Sequence, residues 1–168
     1  IMTRFERETW NIHRGEPLRV IDTPAGRLGI LICYDSEFPL LARALVERDA
    51  DVLLVPSCTD TLAGYWRVRI GSMARALENQ CVVAQAVTVG RLDWLPALDC
   101  NVGAAAIYGP PDRGFPDDGL LALGRRDVAA WVTADVSLQA IATVRAEGQV
   151  CNHRHWQEQE PAPGGIGR

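Results

Sequence analysis

Residues 26–43, GRLGILICYDSEFPLLAR, constrain the chain more than any other stretch: they place a buried strand, a tight turn and an amphipathic helix in immediate succession. The apolar run Leu28–Ile32 is short and rich in branched residues, and it is bounded by Gly26 before and by Asp35 and Ser36 after, as a core strand is. Beyond the turn, Phe38, Leu41, Ala42, Leu45 and Val46 recur at the spacing of one helix face, with Asp35 or Ser36 as N-cap and Pro39 in the first turn. Cys33 falls at the junction. It leaves the sheet at the carboxyl edge and precedes a helix N-terminus, where the dipole and free backbone N–H groups favour a thiolate.

The 168 residues, 48% of them hydrophobic, suffice for one domain or part of one. A net charge of −4 without basic clusters argues against nucleic acid and against an anionic membrane surface as partners. The longest apolar runs have strand length, which leaves no transmembrane helix, and the first residues lack the layout of a signal peptide. Five widely spaced cysteines without a C-x-x-C pair point to a reducing, cytoplasmic setting rather than a disulfide framework. All 17 basic residues are arginine, and the chain opens on Ile1 instead of Met, which leads us to expect a segment upstream.

Arg4–Glu16 is charged and aromatic without periodicity and is expected to be irregular, packing Phe5 and Trp10. Leu18–Asp22 and Leu28–Cys33 read as an antiparallel pair joined by Thr23–Gly26. The helix over about Phe38–Arg48 leads to a strand at Asp51–Pro56, which runs parallel to the first and ends at the same edge. Trp66–Asn79 predicts a helix with Trp66, Ile70, Met73, Ala74 and Leu77 facing in and Arg67, Arg69, Arg75 and Glu78 facing out. Cys81–Thr88, Gly103–Tyr108 and Ala129–Val136 read as further strands, 90–101 as loop, and Ser137 as the cap of a helix ending near Glu147. Residues 161–168, PAPGGIGR, read as a flexible tail after a domain spanning 1–160. Strands alternating with helices make the class α/β.

The chain has no G-x-S-x-G, P-loop, dinucleotide fingerprint or H-E-x-x-H. Cys151, His153 and His155 lack a fourth ligand and orthodox spacing, and read as a surface segment rather than a metal site. By position alone, Cys33 is either a buried apolar cysteine or a nucleophile. GRLGILICYDSEFP resembles the nucleophile motif of the nitrilase superfamily of carbon–nitrogen hydrolases, in which a glycine-containing strand leads into C-Y-D and then F-P. FERETW followed by Gly15, DVLLVPS, WRVRIGSMARALENQ and GAAAIYGPPD resemble other family segments, in the family's order. The likeness runs from about Arg4 to the region of Glu147.

This resemblance implies an α-β-β-α sandwich of the nitrilase type and a Cys-Glu-Lys constellation that works without metal or organic cofactor. Cys33 is then the nucleophile and the Tyr34 N–H an oxyanion donor. Glu8, with Glu6 as second choice, matches the glutamate that positions substrate. The family's base glutamate and lysine precede Ile1 and have no counterpart here, and arginine does not replace that lysine. The chain therefore reads as the carboxyl-terminal portion of the domain, with the amino-terminal part absent. Ser36 and Glu37 in the turn and Ser57, Cys58 and Thr59 after the next strand are the expected substrate contacts. An acid at Glu37 would favour a neutral or aminated substrate. The implied function is hydrolysis of a small amide or nitrile through an acyl-cysteine, in a homo-oligomer formed through helices flanking the nucleophile. The alternatives are acyl transfer from the same intermediate, or a non-catalytic domain acting in assembly.

Overall fold

The amino-terminal segment is more ordered than its sequence pattern suggests. Thr3 and Glu6 form a capping box: Thr3 Oγ1 accepts from the Glu6 N–H (3.3 Å) and Glu6 Oε2 accepts from the Thr3 N–H (2.6 Å). That reciprocity starts a short helix, α1 (Arg4–Glu8), where an irregular chain was expected. Phe5 and Trp10 do pack, edge to face with centroids 5.1 Å apart. The structure, a computed structural model, describes residues 1–159, and the expected tail at 161–168 lies outside the described residues.

Strand β1 (Val20–Thr23) turns at Pro24–Ala25 and returns antiparallel as β2 (Gly26–Ile30), as the sequence predicts. A 3-10 turn at Cys33–Glu37 leads into α2 (Pro39–Val46). Then follow β3 (Val52–Ser57), α3 (Leu62–Asn79) and β4 (Val82–Val87), with β2, β3 and β4 parallel and in the register Leu28–Val52–Val82. The expected loop at 90–101 carries a small ladder, β5 (Gly90–Arg91) with β6 (Cys100–Asn101). Antiparallel β7 (Ala106–Tyr108) and β8 (Leu120–Leu123) complete a six-stranded sheet ordered β1-β2-β3-β4-β7-β8.

The last strand differs from expectation. Ala129–Val136 forms no ladder among the described residues, and Trp131 is 97% exposed. The sheet closes instead on Leu120–Leu123, whose register against β7 is shifted at Ile107/Tyr108. Helix α4 (Leu138–Glu147) is capped as expected, Ser137 Oγ accepting from the Ala140 N–H (3.1 Å), and α5 (Asn152–His155) follows. Among the described residues, no helix is long and apolar enough to cross a membrane.

The core lies between α2, α3 and one sheet face. Leu31, Leu45, Leu53, Val55, Val68, Val83 and Tyr108 are buried there, each aliphatic side chain contributing roughly 1.5–3 kcal/mol. Helix α3 presents a different side from the one its bulky residues predict. Tyr65, Val68, Ser72, Arg75, Ala76 and Asn79 are buried, whereas Trp66, Ile70 (62% exposed) and Leu77 face out. The reason is close approach: Gly71 lies so near the Cys33–Glu37 turn that a Cβ there would meet Ser36 O at 2.9 Å. A helix that approaches so closely turns its small residues inward. Arg75, expected on the surface, is buried with it, donating from Nη1 to Ser36 O (3.1 Å) and pairing with Glu78 (2.6 Å). Along the other sheet face, Ile30 and Pro56 are exposed, and Leu54, Ala84 and Ile107 are half-buried.

Candidate active site

Three parallel strands deliver their carboxyl ends to one edge. Cys33 follows β2, Ser57, Cys58 and Thr59 end and follow β3, and Thr88 follows β4. The β2–β3 pairing stops near Leu31, whose N–H donates to Leu54 O (2.9 Å). Pro56, which has no N–H to give, lies beyond that last bond on the side facing β2.

The turn after β2 is stapled from within. The Asp35 N–H donates to Ile32 O (2.9 Å), the Ile32 N–H donates to Asp35 Oδ2 (3.1 Å), and Ser36 Oγ donates to Cys33 O (2.7 Å). Asp35 and Ser36 thus serve the turn rather than capping α2. The N-cap of that helix is Phe38, which makes no side-chain cap bond, and Pro39 occupies the first turn as expected. Cys33 itself adopts φ +45°, the left-handed region that favours glycine. Tyr34 packs edge-on against Phe38, centroids 4.9 Å apart.

The Cys33 thiol is half-buried and donates to Cys58 O at 3.4 Å. Burial pushes it above the ordinary thiol range, opposed by backbone hydrogen bonds from Cys58 and Tyr34. The thiolate expected from the helix dipole is not favoured, because burial of the sulfur disfavours its charged form. The sulfur opens onto a cavity of about 630 Å³. Its apolar wall includes Phe5, Trp10, Ile12, Ile32, Pro56 and Leu98, and its polar groups include Glu6, Asp35, Asp60, Ser57 and Thr88, with no arginine among the described residues that line it.

Of the residues singled out in the sequence, Cys33, Tyr34, Ser57 and Cys58 line this cavity together. Glu8 does not: its carboxylate is held by Arg4 (2.9 Å) on the exposed side of α1, while Glu6 faces the cavity. Ser36 is buried beneath the turn, Thr59 donates to Val102 O (2.8 Å), and Glu37 pairs with Arg67 (3.5 Å), all three outside the cavity lining. Sequence reasoning missed Asp60 and Thr88, although the rule that brought Cys58 to this edge would have reached both. It also missed Asn101, a buried amide that organises the wall. Asn101 Oδ1 accepts from Cys58 Sγ (2.9 Å) and Thr88 Oγ1 (3.0 Å), and its Nδ2 donates to Leu98 O (2.7 Å) and Gly90 O (3.3 Å).

Comparison with known proteins bears on this geometry. The family model described as carbon-nitrogen hydrolase matches residues 2–145. The probable hydrolase YhcX of Bacillus subtilis is 38% identical over 149 residues, covering 89% of this chain and 29% of that protein. The deaminated glutathione amidase of Yersinia enterocolitica is 44% identical over 87 residues, 51% of this chain and 30% of that protein. The chain therefore spans about 30% of the length of these relatives. Among solved structures, an amidase from Nesterenkonia sp. AN1, of the nitrilase superfamily, superimposes with a TM-score of 0.58 at 26% identity, covering 86% of this chain and 51% of that one. That structure shows the result of Michael addition of acrylamide at its active-site cysteine. On the family match, the relatives and the fold together, this chain belongs to the carbon-nitrogen hydrolase family and has the α/β fold of the nitrilase superfamily.

Proposed function

We propose that residues 1–160 form the carboxyl-terminal portion of an enzyme that hydrolyses a non-peptide, amide-type carbon–nitrogen bond through an acyl-cysteine intermediate at Cys33. The observation that carries this reading is the Cys33 thiol held on a left-handed elbow at the wall of the 630 Å³ cavity. Its sulfur attacks the carbonyl carbon, the Tyr34 N–H receives the developing oxyanion, the amine departs, and water releases the acid. Ser57 and Cys58 contact the substrate, and Glu6 replaces Glu8 in positioning it. The site needs no metal or organic cofactor.

A base and a cation complete the reaction, and the family resemblance assigns them to a glutamate and a lysine upstream of Ile1. The apolar sheet face along Ile30, Leu54, Ala84 and Ile107, which a second sheet layer would cover, supports that assignment. With Glu6 and Asp60 in its lining and no arginine among the described residues that line it, the cavity suits a neutral or amine-bearing amide. Glu37, bound to Arg67, does not set that preference. Five free cysteines support a cytoplasmic setting, and the outward apolar residues of α3 support a homo-oligomer.

The test is Cys33→Ala in the protein at its full natural length, assayed on a panel of neutral, amine-bearing and carboxylate-bearing amides. Turnover is lost while the thermal transition is retained. Surviving turnover overturns the nucleophile, and a preference for carboxylate-bearing amides overturns the substrate class. A second reading, a non-catalytic domain acting in assembly, is favoured by the raised thiol alone. It would show as Cys33 alkylated by iodoacetamide no faster than Cys58, Cys100 or Cys151.

A further inference from the structure

We propose that Cys33 and Cys58 form a hydroperoxide-sensitive pair, in which Cys58 captures the oxidised Cys33 sulfur as an intramolecular disulfide. Two thiols that share one cavity wall are an arrangement that hydrolysis at Cys33 does not require. Cys33 Sγ lies 3.4 Å from Cys58 O. The carbonyl oxygen of a residue is about 2.4 Å from its own Cα, so the Cys33 sulfur is within about 6 Å of the Cys58 Cα. With the Cys33 sulfur about 2.8 Å from its own Cα, the two Cα atoms lie within about 9 Å, and a disulfide spans Cα atoms about 4.4–6.8 Å apart, so closure takes a rotation of the Cys58 side chain together with a shift of its loop.

Two features select this pair. The first is access: both residues line the 630 Å³ cavity, whereas Cys81 is fully buried, its thiol pushed up to about 12. The second is the restraint on Cys58. Its Sγ is parked on Asn101 Oδ1 (2.9 Å), a contact with a weak donor that is given up at small cost when the thiol rotates toward Cys33.

The chemistry balances in two steps. The Cys33 sulfur attacks the distal oxygen of a hydroperoxide: an S–O bond forms, the O–O bond breaks, and the hydroperoxide leaves as an alcohol or as water with the thiol proton. Cys33 is then a sulfenic acid. The Cys58 sulfur attacks it: an S–S bond forms, the S–O bond breaks, and hydroxide departs with the Cys58 proton as water. The disulfide closes the nucleophile and protects it from further oxidation until a dithiol reduces it. The pairing rests on geometry, while its effect on turnover rests on the function proposed above.

The experiment treats the full-length natural protein with one equivalent of hydrogen peroxide and maps the products by mass spectrometry. The wild type loses two hydrogens per chain, with the Cys33 and Cys58 peptides linked, and dithiothreitol reverses the change. Cys58→Ser instead accumulates a Cys33 that dimedone traps and, with further peroxide, gains two oxygens irreversibly. Cys58→Ala, checked with the serine variant by circular dichroism, gives the same outcome if the serine variant misfolds, and the wild-type map decides on its own if both do. A Cys33 sulfinate beside a free Cys58, or a disulfide to another cysteine, overturns the proposal. A Cys33–Cys58 disulfide in a protein whose turnover survives Cys33→Ala would keep the pair and remove the function.

Discussion

The contact between α3 and the nucleophile turn makes Gly71→Ala a test of how the site is held. In an isolated helix the change stabilises, since alanine is favoured over glycine by about 1 kcal/mol. Here the new Cβ would stand 2.9 Å from Ser36 O, 3.2 Å from Ser36 C and 3.5 Å from Glu37 Cα, all backbone atoms of a turn locked by its own hydrogen bonds. Overpacking of this kind costs about 1–3 kcal/mol. The displaced carbonyl is also the acceptor for Arg75 Nη1, and losing a charge-assisted bond from a buried guanidinium costs about 1.5–3 kcal/mol. The balance is a destabilisation of about 3 kcal/mol, opposite in sign to the helix propensity. Urea unfolding followed by tryptophan fluorescence measures it, and the iodoacetamide rate at Cys33 reports whether the turn has moved. An unchanged or higher midpoint with an unchanged rate would refute the reasoning.

Burial beside Arg145 and Arg43 lowers the His153 pKa to about 4, below the usual 6.5, so the folded protein keeps this ring neutral while the unfolded chain protonates it. The stability it confers is complete above pH 6.5 and is lost as pH falls toward 4. His153→Gln should flatten the urea midpoint over that window, and an identical pH profile would count against the assignment. On the outer side of α3, Ile70→Glu places a charge in the exposed stripe formed with Trp66 and Leu77. If the homo-oligomer uses this stripe, losing about 2 kcal/mol of apolar burial per copy weakens self-association roughly a thousandfold. Sedimentation that shows the same oligomer in both proteins would exclude that surface.

The parallel strands and the Cys33 junction were readable because their signals are local: short branched runs, punctuating glycines, and a helix face at the expected spacing. Helix α3 shows where such signals mislead. Its bulky residues form a coherent apolar stripe, yet close approach to the turn was decided by Gly71, Ser72 and Ala76, which no amphipathicity count rewards. Ala129–Val136 carries strand-like residues but finds no ladder among the described residues, because strand formation requires a neighbour as well as a propensity. Within the site, Cys58 could be placed by strand topology, but Asn101 could not. Its four bonds join segments that are adjacent only after folding. Glu6 and Glu8 differ only in which side of a short helix each occupies, and the capping box with Thr3 settles that.

The left-handed backbone at Cys33 also bears on which residues this position can accept. The geometry between β2 and the turn is a slot that glycine fills without steric penalty and that any side chain enters at about 1–2 kcal/mol. A chain drifting under selection for stability alone would settle on glycine there. A cysteine in the slot is a standing departure from the most stable sequence, and such departures collect where a reactive group must be held out from the backbone at one angle. At Cys33 that departure supports the nucleophile proposed above.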